Sequence, residues 1–267
     1  MSLTDWLPTF GEGIKDGEIP LFCFPYAGGA ASAFRNWPRE LPWPIRAFPV
    51  QLPGREARWQ ETAYSDMPGA VAALADSLSP ALGPPLALFG HSMGAFIAFE
   101  LARELRSRGR PGPVRLFVSG CRAPHLPDPD PPVYNMPADQ FVRELIRLKG
   151  APAEVLRNSE YMELMLPMLR ADFALCDTYV YHPGELLECP ISAFGGSDDR
   201  KIRPDQLTQW GQHTKAGYIE RTFPGDHFFL NTSRADLLAA IAADLLVSTV
   251  PRDSQTVSTN SFPHHDT

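Results

Sequence analysis

The chain has 267 residues, 44% of them hydrophobic and 21% charged, a globular balance that excludes a wholly disordered or fibrous protein. Its net charge of -7 supplies no global basic field, which argues against nucleic acid as the main partner. No window reaches the roughly 18 to 20 apolar residues of a membrane span, and the opening MSLTDWLPTFGEG has no basic-then-apolar leader, so a cytoplasmic protein without a membrane partner is expected.

In chain order, the apolar runs LFCF at 21–24 and IRAFPV at 45–50 read as buried strands. MPGAVAALADSLSPAL, from Met67, places apolar residues at three- and four-residue spacing and predicts a helix. The run LALFG at 86–90 is the next strand, followed by the amphipathic stretch AFIAFELARELRSRG and the strand VRLFVSG at 114–120. Strands then stop from about Arg122 to Glu188. A Pro-rich opening leads there into ADQFVRELIRLKG, whose Phe141, Leu145 and Leu148 share one face, and into a stretch in which Pro167 starts or kinks a helix. This interval is expected to be a helical lid inserted into one domain spanning 1–248. Two further strands, ISAFGG at 191–196 and YIERTF at 218–223, precede the helix RADLLAAIAADLLVS. The tail 249–267 loses periodicity and is expected to be disordered. Alternating strands and helices predict the α/β class, with a mostly parallel sheet covered on both faces.

Cys23, Cys121, Cys176 and Cys189 are scattered, without a C-x-x-C pair or zinc-ligand spacing, so reduced core thiols and no metal are expected.

GHSMG at 90–94 stands between a predicted strand and a predicted helix. A serine hydroxyl needs a base to take its proton and dipoles to stabilise the oxyanion formed on attack. A sharp strand-to-helix turn would present Ser92 as nucleophile, with Gly90 and Gly94 avoiding a crowded turn. The base is expected late in the chain, and His227 in FPGDHFFL follows the last predicted strand. His91 is the elbow's own variable residue, while His125, His182, His213, His264 and His265 fit the order less well. A carboxylate after the preceding strand would orient the base. FGGSDDRKI offers Asp198 and Asp199, and the spacing to Ile202 favours Asp199. The oxyanion hole would use the amide of Met93 and that of Ala27, in the Gly-rich loop FPYAGGAAS after the first strand.

The ordered strings FCFPYAGG, QLPGREAR, FGHSMGA, LRADF, FGGSDD and GDHFFL resemble those of the type II thioesterases of polyketide and nonribosomal peptide pathways. The likeness spans about residues 10–247 and implies an α/β-hydrolase fold. It also implies a triad of Ser92, Asp199 and His227, an oxyanion hole of Ala27 and Met93, and no cofactor. The implied substrate is an acyl group on the phosphopantetheine arm of an acyl or peptidyl carrier protein. Asp226 stands where the family often has glycine. The same elbow serves carboxylesterases and chain-terminating thioesterases, and a noncatalytic acyl-binding relative is the reading from another class.

Overall fold

The computed structural model describes residues 3–11, 13–79, 81, 83–147 and 159–249. Six strands form one sheet: β1 (Ile19–Phe24), β2 (Ile45–Pro49), β3 (Ala87–His91), β4 (Arg115–Ser119), β5 (Ile191–Gly196) and β6 (Tyr218–Phe223). Their order is β2-β1-β3-β4-β5-β6, and every neighbouring pair is parallel. All six strands match the apolar runs of the sequence.

Parallel strands require crossovers on the sheet faces, so the side chains of the inner strands β1, β3 and β4 are buried on both sides, whereas the edge strand β6 is mostly half-buried. β1 illustrates the two-residue period: Phe22 and Phe24 join one core cluster, while Ile19, Leu21 and Cys23 join the other. The first cluster is covered by α1 (Met67–Leu78) and α2 (Met93–Ser107), through Leu74, Leu78, Leu101 and Leu105. The second is covered by Trp37 and by α5 (Arg234–Thr249), through Leu237, Leu238, Ile241 and Leu245. Phe89 lies at its centre, edge-on to Phe34 and Trp37, and Phe89→Ala would cost about 3–5 kcal/mol. α1 starts where the Asp66 carboxylate accepts a hydrogen bond from the Gly69 amide at 2.8 Å.

Between β4 and β5 lie α3 (Ala138–Arg147) and α4 (Ser159–Asp177), the latter continuing through Pro167. Phe141 and Leu145 of α3 pack with Val133 and Met162, as their helical spacing predicts, and Phe173 is half-buried beside them. Leu148 lies outside the described residues, as does the predicted tail beyond Thr249, which itself ends α5. All four cysteines are unpaired, and burial raises their thiol pKa values, those of Cys176 and Cys189 to about 12. Among the described residues no helix is long and apolar enough to cross a membrane.

The strand order reverses between β1 and β3, since the chain runs outward from β1 to β2 and then returns to the other side of β1. In a parallel sheet such a reversal, at the carboxyl ends of the strands, is where ligand sites are commonly built. The PYAGG loop follows β1 and Ser92 follows β3.

Candidate active site

Ser92 occupies the single residue between β3 and α2, with φ 54° and ψ -117°. A positive φ is strained for a residue with a Cβ, and such strain recurs at functional sites. The turn closes only because its flanks are glycines. A Cβ on Gly90 would lie 2.0 Å from the Gly94 carbonyl oxygen, and one on Gly94 would lie 2.1 Å from that of Phe24. The close approach at Gly94 packs the start of α2 against the end of β1, bringing the PYAGG loop to the elbow.

His227 follows β6 and Asp199 follows β5, so both project from the same carboxyl edge of the sheet as Ser92. Nδ1 of His227 lies 2.8 Å from Oδ2 of Asp199, whose carboxylate is fully buried. The other oxygen, Oδ1, accepts from the amides of Lys201 and Ile202. Burial works to raise the Asp199 pKa, but the hydrogen bond and charge of His227 and those two amides outweigh it. The carboxyl is held below its ordinary value. Asp198 is exposed and accepts from the hydroxyl of its neighbour Ser197.

Among the described residues no hydrogen bond joins Ser92 to His227, a bond that in free enzymes often tightens only with substrate. His91, next to Ser92 in the chain, stands beside His227, with the two ring centres 5.2 Å apart. His91 is fully buried beneath the elbow, with Nδ1 2.9 Å from the Ser119 hydroxyl and its ring edge-on to Tyr26. Burial, then the charge of His227, lowers its pKa well below the ordinary histidine value, so it remains neutral. In the sequence nothing marks His91 beyond its being the elbow's variable residue; its place under the site depends on Gly120, where a Cβ would come within 2.7 Å of the imidazole.

The backbone amides of Ala27 and Met93 have no hydrogen-bond acceptor among the described residues. Met93 opens α2 at the positive end of the helix dipole, where the Ala95 amide bonds back to the Ser92 carbonyl at 2.9 Å while the Met93 amide stays unpaired among the described residues. The elbow therefore offers an unpaired donor next to a serine. An imidazole braced by a buried carboxylate stands on the same edge.

The basic residues after the elbow are engaged within the chain. Arg103 bonds Glu100 and the His182 carbonyl, Arg106 the carbonyls of Glu185 and Leu186, and Arg108 both Asp76 and Glu104. On α3, Arg143 and Arg147 pair with Asp139 and Glu144. Lys149 lies outside the described residues.

A family model described as a thioesterase domain matches residues 19–245. The gramicidin S biosynthesis protein GrsT of Aneurinibacillus migulanus is 41% identical over 235 residues, covering 88% of this chain and 92% of the relative. Among solved structures, the RedJ thioesterase of the prodiginine biosynthetic pathway in Streptomyces coelicolor aligns with a TM-score of 0.80 at 41% identity, over 85% of each chain. BorB, the type II thioesterase of the borrelidin biosynthetic cluster, aligns with a TM-score of 0.81 at 34% identity, over 90% of this chain and 97% of its own. With these matches running the length of the sheet and its elbow, the chain belongs to the thioesterase family, among the type II thioesterases of polyketide and nonribosomal peptide pathways, on an α/β-hydrolase fold.

Proposed function

We propose that this thioesterase hydrolyses acyl groups from the phosphopantetheine arm of acyl or peptidyl carrier proteins, clearing wrongly loaded synthases. The observation that carries the chemistry is the convergence, at one edge of the sheet, of strained Ser92 with a His227 held at 2.8 Å by buried Asp199. The carrier substrate is supported by relatives that act in nonribosomal peptide and polyketide biosynthesis.

In this reading Ser92 Oγ attacks the thioester carbonyl and its proton passes to Nε2 of His227. The amides of Ala27 and Met93 receive the oxyanion, and Asp199 stabilises the imidazolium. Collapse of the tetrahedral intermediate breaks the carbon–sulfur bond, and the pantetheine thiolate leaves with the proton from His227. Water then attacks the acyl-serine, gives its proton to His227, and a second collapse releases the acid and returns the proton to Ser92. The helices between β4 and β5 act as a lid that shapes the acyl pocket, with Phe141 and Leu145 holding the lid together rather than touching substrate.

Hydrolysis of a series of acyl groups, each presented on a carrier protein and as a free thioester, tests the proposal. Faster release of short acyl groups from the carrier is expected; equal or absent turnover on the carrier overturns the assignment. A fluorophosphonate probe reports the nucleophile independently, with labelling of the wild type expected and labelling of Ser92→Ala not.

A further inference from the structure

Two strings singled out in the sequence, QLPGREAR and LRADF, meet in the folded chain at a buried ion pair. Arg55 and Asp172 are 3% and 0% exposed, and the guanidinium grips the carboxylate with both terminal nitrogens, at 2.7 and 2.6 Å. Asp172 lies on α4, and its Oδ2 also accepts a hydrogen bond of 2.7 Å from the amide of Gly28, in the PYAGG loop. Arg55 donates in turn to the Gly29 carbonyl at 2.9 Å. Gln51 completes the attachment by accepting from the Ala31 amide while donating to the Arg55 carbonyl.

These contacts fix the peptide planes on either side of Ala27. The plane between Ala27 and Gly28 is held by Asp172 through the Gly28 amide. The plane between Tyr26 and Ala27 is held by the Tyr26 carbonyl, which accepts from the Gly29 amide at 2.8 Å. Because a peptide unit is planar, fixing its carbonyl fixes the direction of its N–H. In this trans unit the Ala27 N–H points opposite to the Tyr26 carbonyl, and among the described residues it meets no acceptor. Gly28 adopts φ 78°, and a Cβ there would meet Leu169 of α4 at 2.8 Å, so the helix that supplies Asp172 also lies against the loop it holds.

A buried ion pair is a costly way merely to attach a helix, since apolar residues of similar volume do so at least as well. This pair makes directed hydrogen bonds to an amide and a carbonyl of one loop, which apolar packing does not do. We infer that Asp172, clamped by Arg55, is a positioning residue that holds the Gly28 amide so that the Ala27 amide stays aimed at the oxyanion. The inference rests on the proposed role of Ala27, and through α4 it makes the oxyanion loop depend on the seating of the helices between β4 and β5.

The test compares wild type with Asp172→Asn for turnover of a propionyl carrier protein and for inhibition by two pantetheine analogues. One carries a trifluoromethyl ketone, which binds as an oxyanion, and the other an unreactive amide. The variant is expected to lose about 100-fold in kcat, with KM changed less than about threefold. Its affinity for the ketone should fall by a similar factor while its affinity for the amide holds. A folded variant with undiminished kcat, or one that loses both analogues equally, overturns the inference. If Asp172→Asn does not fold, Arg55→Met/Asp172→Leu carries the same comparison, because it leaves no buried charge unpaired. Wild-type protein that neither turns over thioesters nor labels at Ser92 overturns the functional reading itself. An active wild type beside an equally active folded variant overturns only the positioning role.

Discussion

Nδ1 of His227 faces Oδ2 of Asp199 at 2.8 Å, while the adjacent Asp198 carboxylate is exposed and occupied by Ser197. Two neighbouring carboxylates therefore have different environments, and only one can hold the imidazole in the tautomer that leaves Nε2 free to accept a proton. Asp199→Asn should lower kcat on the order of 10³- to 10⁴-fold, since the amide stabilises neither that tautomer nor the imidazolium. Asp198→Asn should stay within about threefold of wild type, as expected for an exposed surface substitution. Steady-state kinetics of the two variants on one acyl thioester decides the matter, and the reverse pattern would move the acid to Asp198.

The strain at Ser92 has a measurable consequence for stability. A side-chain-bearing residue at φ 54° costs on the order of 1–3 kcal/mol relative to relaxed backbone, and glycine does not incur that cost. Glycine also makes the unfolded chain more flexible, which offsets roughly 0.5–1 kcal/mol of the gain. Ser92→Gly should therefore unfold at higher urea than Ser92→Ala, by a net of about 1 kcal/mol, while neither is labelled by a fluorophosphonate. Alanine is the right reference because it also removes the hydroxyl but retains the Cβ. Equal stability of the two variants would mean that the turn stores no strain.

The strands and the long helices were legible because burial on both faces leaves continuous apolar runs in strands such as LFCF, and burial on one face leaves a three- and four-residue spacing in α2. Ser92 and His227 could be singled out because their chemistry follows an order along the chain. Asp199 was separable from Asp198 only by spacing, since two adjacent carboxylates look alike until one is seen to be buried. The Arg55–Asp172 pair was not legible at all. Its partners stand 117 residues apart, and neither has a local feature that distinguishes a buried charge from a solvated one. The position of His91 was hidden for a similar reason: a polar residue is carried inside by the elbow and accommodated by the missing side chain of Gly120.

A second histidine cluster contributes to how the protein responds to acid. Nδ1 of His125 lies 2.8 Å from Nε2 of His213, and the Tyr181 hydroxyl faces the other ring nitrogen of His213 at 3.5 Å. His213 is 4% exposed, and burial, followed by the charges of His125 and Arg103, lowers its pKa to about 4. In the unfolded chain the same imidazole takes up a proton near pH 6.5, its ordinary value of about 6.5. Between these values the unfolded state binds more protons than the folded one, so stability declines as pH falls below about 6.5 and the decline from this group ends near pH 4. Integrated from pH 7 to pH 5, the group accounts for a loss of about 2 kcal/mol. His213→Gln cannot take up that proton; it should be less stable at pH 7, having lost ring packing against Phe99 and Trp210. Its further loss between pH 7 and pH 5 should be about 2 kcal/mol smaller than that of wild type. Urea unfolding of both proteins at the two pH values measures the difference directly, because other buried groups such as His91 contribute equally to each. The same loss in both proteins would show that the folded state accommodates a charged His213.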